Sequence, residues 1–302
     1  MVKLALLRED QIWGDNALPT FKKVGTLHKT NNLVAILGGI VTIDISSVDL
    51  RLPVAWTASP DPFGKVRCVN YYGKKIWSFP QARRPAIRPV ISPEEAANII
   101  LTDLEEDEHH IITGKYGEFP RTVADEQTSS LLEGLCQNKK LSQTGKIYVF
   151  DVTNMDDEHM DCNPRGYHEY VYNGKKYIRI SGRQSNRKNW PFAFVPVEER
   201  SQLEWVEPKK PYWVRVEPIK WYLDESGYLV SAECISAGFQ FSKRKAYNGN
   251  FENTFMNPYL KRLSEEIEVV KVNEQEQQMV PPSKVAKHPS VSKKKNDGRG
   301  RV

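Results

Sequence analysis

The sequence predicts an α+β fold of mixed, mainly antiparallel sheets with few short helices, ending in a disordered basic C-terminal tail. Three observations predict it. Seven Trp and thirteen Tyr, in a chain that is 39% hydrophobic, favour pleated surfaces on which flat rings pack. Turn pairs built on Asn or Gly recur between aromatic runs, as antiparallel hairpins require. The net charge of +5 is concentrated at the C-terminus, where residues 280–302 hold seven Lys or Arg against Asp297 alone. Such a Pro/Ser/Lys stretch cannot build a core, and the rest of the chain carries about −1.

The elements follow in chain order. "HKTNNLVAIL" reads as a short helix opened by Thr30 or Asn31 and closed by Gly38-Gly39, with a strand after it. Between Val66 and Phe79 a hairpin is expected. Val66, Cys68 and Asn70 alternate with Arg67, Val69 and Tyr71, Tyr72-Gly73 turns the chain, and Lys75–Phe79 returns. Ser92-Pro93-Glu94-Glu95 combines a cap, a Pro at the first helical position and acids in the first turn, predicting a helix that runs to Leu104.

"IITGKYGEFPRTV" reads as extended chain broken by a Gly-Glu-Phe-Pro turn, and Asp125 caps a helix bearing Leu131, Leu132 and Leu135. After the strand "KIYVFDV", Asn173-Gly174 supplies the two positive-φ positions of a type I′ turn. In the hairpin that turns at Asp224–Gly227, the apolar set changes parity, from Val214 and Val216 to Ile219, Trp221 and Leu223. A bulge at Glu217-Pro218 would keep both sets on one core. Last comes a helix capped by Asn253 or Thr254, with Met256, Leu260, Leu263 and Ile267 as its buried stripe.

Catalytic and metal signals are sparse. Cys68, Cys136, Cys162 and Cys234 show no CxxC spacing, and free, partly buried thiols are expected. His109-His110 follows four acidic residues, but adjacent histidines point to different sides of any regular element. His159, His168, Asp156, Asp157, Glu158 and Cys162 imitate a metal site without a standard ligand spacing, and an acidic surface loop is the expected reading. No phosphate loop, Ser-His-Asp pattern or His-Glu-x-x-His helix is present. No cofactor, metal or catalytic residue is therefore expected. The charge of the body gives no reason to expect nucleic acid, beyond weak contact through the tail. No apolar run approaches bilayer length, and "MVKLALLREDQIWGD" lacks a signal peptide's apolar region, so a soluble protein of the cytosol is expected.

The segment from Val54 to Ile91 resembles the closing part of bacterial domains of unknown function with a C-type-lectin-like core, related to formylglycine-generating-enzyme folds. Trp56, Ser59-Pro60, Val66, Val69, Gly73 and Arg84-Pro85-Ala86-Ile87 carry the likeness. Pieces similar to the opening half of such domains lie downstream, in "YGEFPRTV", "EPIKWYL", "GYLVSAECI" and the helix at Met256–Ile267. Phe119 and Arg121 stand where Tyr and Gln are usual. A similar order occurs in proteins of low-GC Gram-positive bacteria and their phages.

The resemblance implies a circularly permuted lectin-like core. Residues 1–91 would form its closing half, 92–111 an acidic connector, 112–268 its opening half with hairpin insertions, and 269–302 the tail. It also implies a non-catalytic binding protein facing a protein or glycan, through Arg67, Tyr71, Tyr72, Lys74, Trp77 and Gln81. A structural or host-inhibitor protein of a phage or mobile element, with a place in the virion, is the alternative expectation. An enzyme is the weaker one, because the paired active-site cysteines of formylglycine-generating relatives have no counterpart. If the order is permuted, Arg84–Ile87 should lie in a sheet beside strands from the second half of the chain.

Overall fold

The computed structural model of the chain describes residues 2–25, 30–37, 53–70, 73–81, 85–150, 166–182, 206–207, 209–238, 240–242 and 246–267. The strand expected after Gly38-Gly39, the acidic stretch from Asp156 to Cys162 and the basic tail lie outside the described residues.

The N-terminal part holds strand β1 (Leu4–Leu6) and helices α1 (Glu9–Ile12), α2 (Pro19–Val24) and α3 (Asn32–Ile36). Then come β2 (Pro53–Pro60), β3 (Val66–Asn70), β4 (Lys75–Ser78), β5 (Pro89–Ile91), α4 (Pro93–Ala96), β6 (Thr102–Glu106) and β7 (Ile112–Val123). The C-terminal part adds α5 (Glu126–Gln137), β8 (Ser142–Val149), β9 (Gly166–Tyr172), β10 (Lys175–Ser181), β11 (Pro211–Leu223), β12 (Leu229–Ser231) and α6 (Met256–Glu266). The class is mixed α+β, and every strand pairing within the two sheets is antiparallel.

The long strand β11 is the hub of the nine-stranded sheet. One edge pairs with β7; the other pairs first with β10, then with β12. The parity change predicted in β11 is present: Val214, Val216, Ile219 and Trp221 are all buried in one core. Pairing with β7 slips on both sides of Glu217-Pro218, between Arg215 and Val216 and between Pro218 and Lys220. The slips absorb the extra residues and turn both apolar sets the same way. Opposite the second slip, Gly117 takes φ of 67°, which a side chain would resist. The expected Gly-Glu-Phe-Pro turn is therefore not a turn but a bulge within a continuous strand.

The other face of β11 carries Trp213, packed with Tyr177 and with Leu132 of α5. Asp125 caps α5 by accepting from the Thr128 backbone N–H at 2.7 Å, as its sequence position predicts. Glu133 of α5 then accepts from Arg179 Nε and Nη2, each at 2.8 Å, and from the Trp213 indole N–H at 3.1 Å, fixing helix to sheet. Asn173 and Gly174 adopt φ of 48° and 71° between β9 and β10, the expected type I′ turn.

Two further expectations are corrected. The helix opened by Ser92 stops after α4, and residues 102–106 form β6, paired with β7. Sheet pairing outweighs local helix signals here. Gly114 of β7 permits it, because a Cβ there would stand 2.8 Å from Leu101 Cβ and 2.9 Å from Leu104 Cδ2. The last helix is capped at Phe255 rather than at Asn253 or Thr254, because Phe251–Asn253 form a turn of 3-10 helix just before it. Its stripe of Met256, Leu260, Leu263 and Ile267 is buried as predicted. Val69, which alternates with Cys68 on β3, is fully buried like it.

The first ninety residues and the second half share one core. Asn31 caps α3 through the Val34 N–H at 3.1 Å, and its amide nitrogen donates to Glu233 at the same distance. Asp224, at the β11–β12 turn, accepts from the Thr20 N–H at 2.7 Å and the Thr20 hydroxyl at 2.6 Å. Of Arg84–Ile87, residues 85–87 are described. The Ala86 carbonyl accepts from Trp56 N–H at 3.0 Å, Ile87 N–H donates to Ser236 at 2.8 Å, and β5 pairs with both β1 and β12. The strand after the Arg-Pro step thus runs between first-half and second-half elements.

Candidate binding surface

Strands β2, β3 and β4 form a separate three-stranded sheet with two unlike faces. Its inner face is held by second-half aromatics. Trp56, 1% exposed, packs on Phe241 with ring centroids 5.3 Å apart, and Phe241 meets Tyr247 at 4.9 Å. The Tyr247 hydroxyl donates to the Ala58 carbonyl at 2.8 Å.

The turn between β2 and β3 is built by Asp61, whose side-chain oxygen accepts from Phe63 N–H at 2.9 Å and Lys65 N–H at 2.7 Å. Gly64 sits at φ of 75° and its carbonyl accepts from Tyr247 N–H at 2.7 Å. A Cβ at Gly64 would lie 2.8 Å from Ala246 Cβ, so this turn is pressed onto the body. A turn clamped in this way leaves Phe63 outward, at 83% exposure.

On the outer face, Arg67 and Trp77 are direct cross-strand partners, and Phe79 follows Trp77 two residues on. Trp77 and Phe79 are 49% and 57% exposed and stand edge to face, with centroids 6.0 Å apart. The Lys65 ammonium lies 3.1 Å from the Trp77 ring centroid and 5.0 Å from that of Phe79. Helix α1 supplies the facing carboxylate. Its first residue, Glu9, donates its backbone N–H to the Ser59 hydroxyl at 2.9 Å and receives Lys75 at 2.6 Å and Arg67 at 3.3 Å. The Arg67 Nε–H is not aimed at the Glu9 oxygen and makes no hydrogen bond.

The sequence-predicted residues divide as follows. Arg67 and Trp77 meet on this face, and Lys74 is exposed at the tip of the same hairpin, its backbone N–H donating to Asn70 at 2.8 Å. Gln81 is half-buried in the turn after β4. Tyr71 and Tyr72 lie outside the described residues. Sequence reading missed Phe63, Lys65, Lys75, Phe79 and Glu9. For Phe79 the signal was present, since it shares the two-residue period of Trp77. For Glu9 there was none, because it reaches the hairpin only through the packing of α1.

Other polar clusters bind the structure together. Arg88, 2% exposed, donates from Nε to the Ser231 carbonyl at 2.7 Å and stacks over Phe21. Glu169, 1% exposed, accepts from the Tyr148 hydroxyl at 2.7 Å and from Thr144 at 2.8 Å. Glu266 accepts from Val149 N–H and Arg262 Nε, both at 3.0 Å, while burial pushes its carboxyl up to about 7. Cys68, Cys136 and Cys234 are free thiols; burial pushes Cys234 up to about 12 and Cys68 also upward. Neither buried thiol is a nucleophile at neutral pH.

His168 is exposed on β9, and the other residues of its expected loop lie outside the described residues. Among the described residues no group of three His, Cys, Asp or Glu is placed to hold a metal ion, and no helix is long and apolar enough to cross a membrane. No family model, no curated protein and no solved structure matches the chain.

Proposed function

We propose that the chain is a non-catalytic recognition protein that presents the outer face of the β2–β4 sheet to a protein partner. One observation carries this reading. Of the exposed large hydrophobic side chains among the described residues, the three aromatic ones, Phe63, Trp77 and Phe79, all belong to this hairpin and its turn. Aromatic side chains and Arg are enriched at protein interfaces, and Trp and Arg are among the residues that dominate their affinity. A protein suits this face better than a glycan, because Lys65 covers the Trp77 ring that a sugar would stack on.

We read the scaffold behind this face as a lectin-like core in permuted order. The support is the position of residues 86–91, hydrogen-bonded between β2 and β1 on one side and Ser236 and β12 on the other. A display selection tests the recognition role. Random peptides selected on the whole chain should compete with one another for a single face and lose binding to the Phe63→Ala/Trp77→Ala variant. Binders that all ignore both substitutions would refute the reading.

A further inference from the structure

We infer that the partner segment seated on this face is acidic: a polypeptide stretch that sets Asp or Glu side chains against Lys65, Lys74 and Arg67, beside an apolar anchor on Phe63 and Trp77. The inference rests on the recognition role proposed above and names the chemistry of what is recognised.

Charge balance carries it. The outer face and its rim hold four cations, Lys65, Arg67, Lys74 and Lys75, among the described residues. Among the described residues, Asp61 and Glu9 are the carboxylates whose contacts place them on this hairpin, and neither neutralises the face. Asp61 is 7% exposed and turned into its own loop, where it holds backbone N–H groups. Glu9 is shared between Arg67 and Lys75. Among the described residues, no carboxylate lies within ion-pair distance of Lys65 or Lys74. The charge of Lys65 is instead laid over Trp77 and Phe79, so its ammonium sits among the rings that any partner would cover.

Covering those rings with a neutral surface would desolvate Lys65 without a counter-charge, which is costly. A partner carboxylate removes that cost, and steers the encounter as well. Single-stranded nucleic acid, another polyanion, binds by stacking its bases on open ring faces. The Trp77–Phe79 pair is edge to face, with an ammonium on the Trp77 ring.

The test uses the whole chain and three labelled probes: a glutamate–tyrosine copolymer, a lysine–tyrosine copolymer, and heparin. Fluorescence anisotropy should show binding of the glutamate–tyrosine probe that weakens with salt and exceeds binding of the lysine–tyrosine probe. Trp77→Ala, and separately the Lys65→Gln/Lys74→Gln pair, should each weaken it about tenfold, roughly 1.4 kcal/mol. Leu131→Ala, on the exposed face of α5, should leave it unchanged.

Binding that survives the Trp77 and lysine substitutions would belong to the basic tail and overturns the inference. So does heparin binding of equal strength that ignores Trp77→Ala. Self-association in sedimentation that Trp77→Ala abolishes would seat a second copy on this face and overturns the inference of a separate acidic partner. If the copolymer fails while display-selected peptides still require Trp77, the recognition face stands and its acidic preference falls. If neither probe nor peptide needs Trp77, both fall.

Discussion

Lys65 holds its ammonium 3.1 Å from the ring centroid of Trp77, on a face where no acidic side chain among the described residues competes for it. Exposed cation–π contacts contribute about 0.5–1 kcal/mol. A double-mutant cycle of Lys65→Ala and Trp77→Ala, read by urea denaturation, should give a coupling of about that size. Each single variant should remain folded. A coupling of zero would mean that the two side chains do not rest on one another in solution.

The underside of the same hairpin predicts the opposite behaviour. Trp56 is buried against Phe241, which comes from the far end of the chain. Trp56→Ala should destabilise by about 3–5 kcal/mol through a cavity that the strands cannot close. Thermal unfolding measures it, and a loss below about 1 kcal/mol would contradict this packing.

Glu133 predicts an acid dependence. The Arg179 guanidinium, with the Trp213 indole N–H, holds its carboxyl down to about 2, below its ordinary value of 4.5. A depressed acid stabilises the fold at pH above its unfolded value, and that contribution is lost as pH falls from about 4.5 towards 2. Glu133→Gln should cost about 1–2 kcal/mol at neutral pH, allowing for solvent screening, and almost nothing near the acid end. Denaturation curves at pH 7 and at about pH 2 distinguish this from a pH-independent packing effect.

Glu266 predicts the reverse sign. Burial raises its carboxyl from 4.5 to about 7, partly countered by Arg262, the Val149 N–H and Lys146. The folded state then holds a proton that the unfolded state has released, so stability falls as pH rises from about 4.5 through 7. Glu266→Gln keeps an oxygen for Val149 and removes the buried charge. It should gain about 2–3 kcal/mol over the native chain at pH 8 and little at pH 4. Equal changes at both pH values would show that the carboxyl titrates as an exposed one.

What the sequence revealed was local chemistry. Asn173-Gly174 and Asp125 act within a few residues of themselves, so the turn and that cap could be read directly, while Asn31 was one of two candidates for its cap. The parity change across Glu217-Pro218 was equally legible, because a strand must keep its apolar side inward. Strand β6 was not, since its helix-like start is overruled by pairing with β7 across Gly114. The surface followed the same division. Arg67, Lys74 and Trp77 stood out by residue type and alternation within one hairpin. Lys65 and Phe63 were hidden in a turn, and Glu9 arrives from 58 residues away in sequence, where no period or motif points to the hairpin.

If Trp77 and its neighbours form a recognition face, the affinity of one display-selected peptide must depend on them. Isothermal titration against the native chain and against Trp77→Ala, with both shown to be folded by thermal unfolding, compares them on equal terms. A drop of about tenfold or more is expected for an exposed aromatic at the centre of an interface. Equal affinity for the two chains would contradict it.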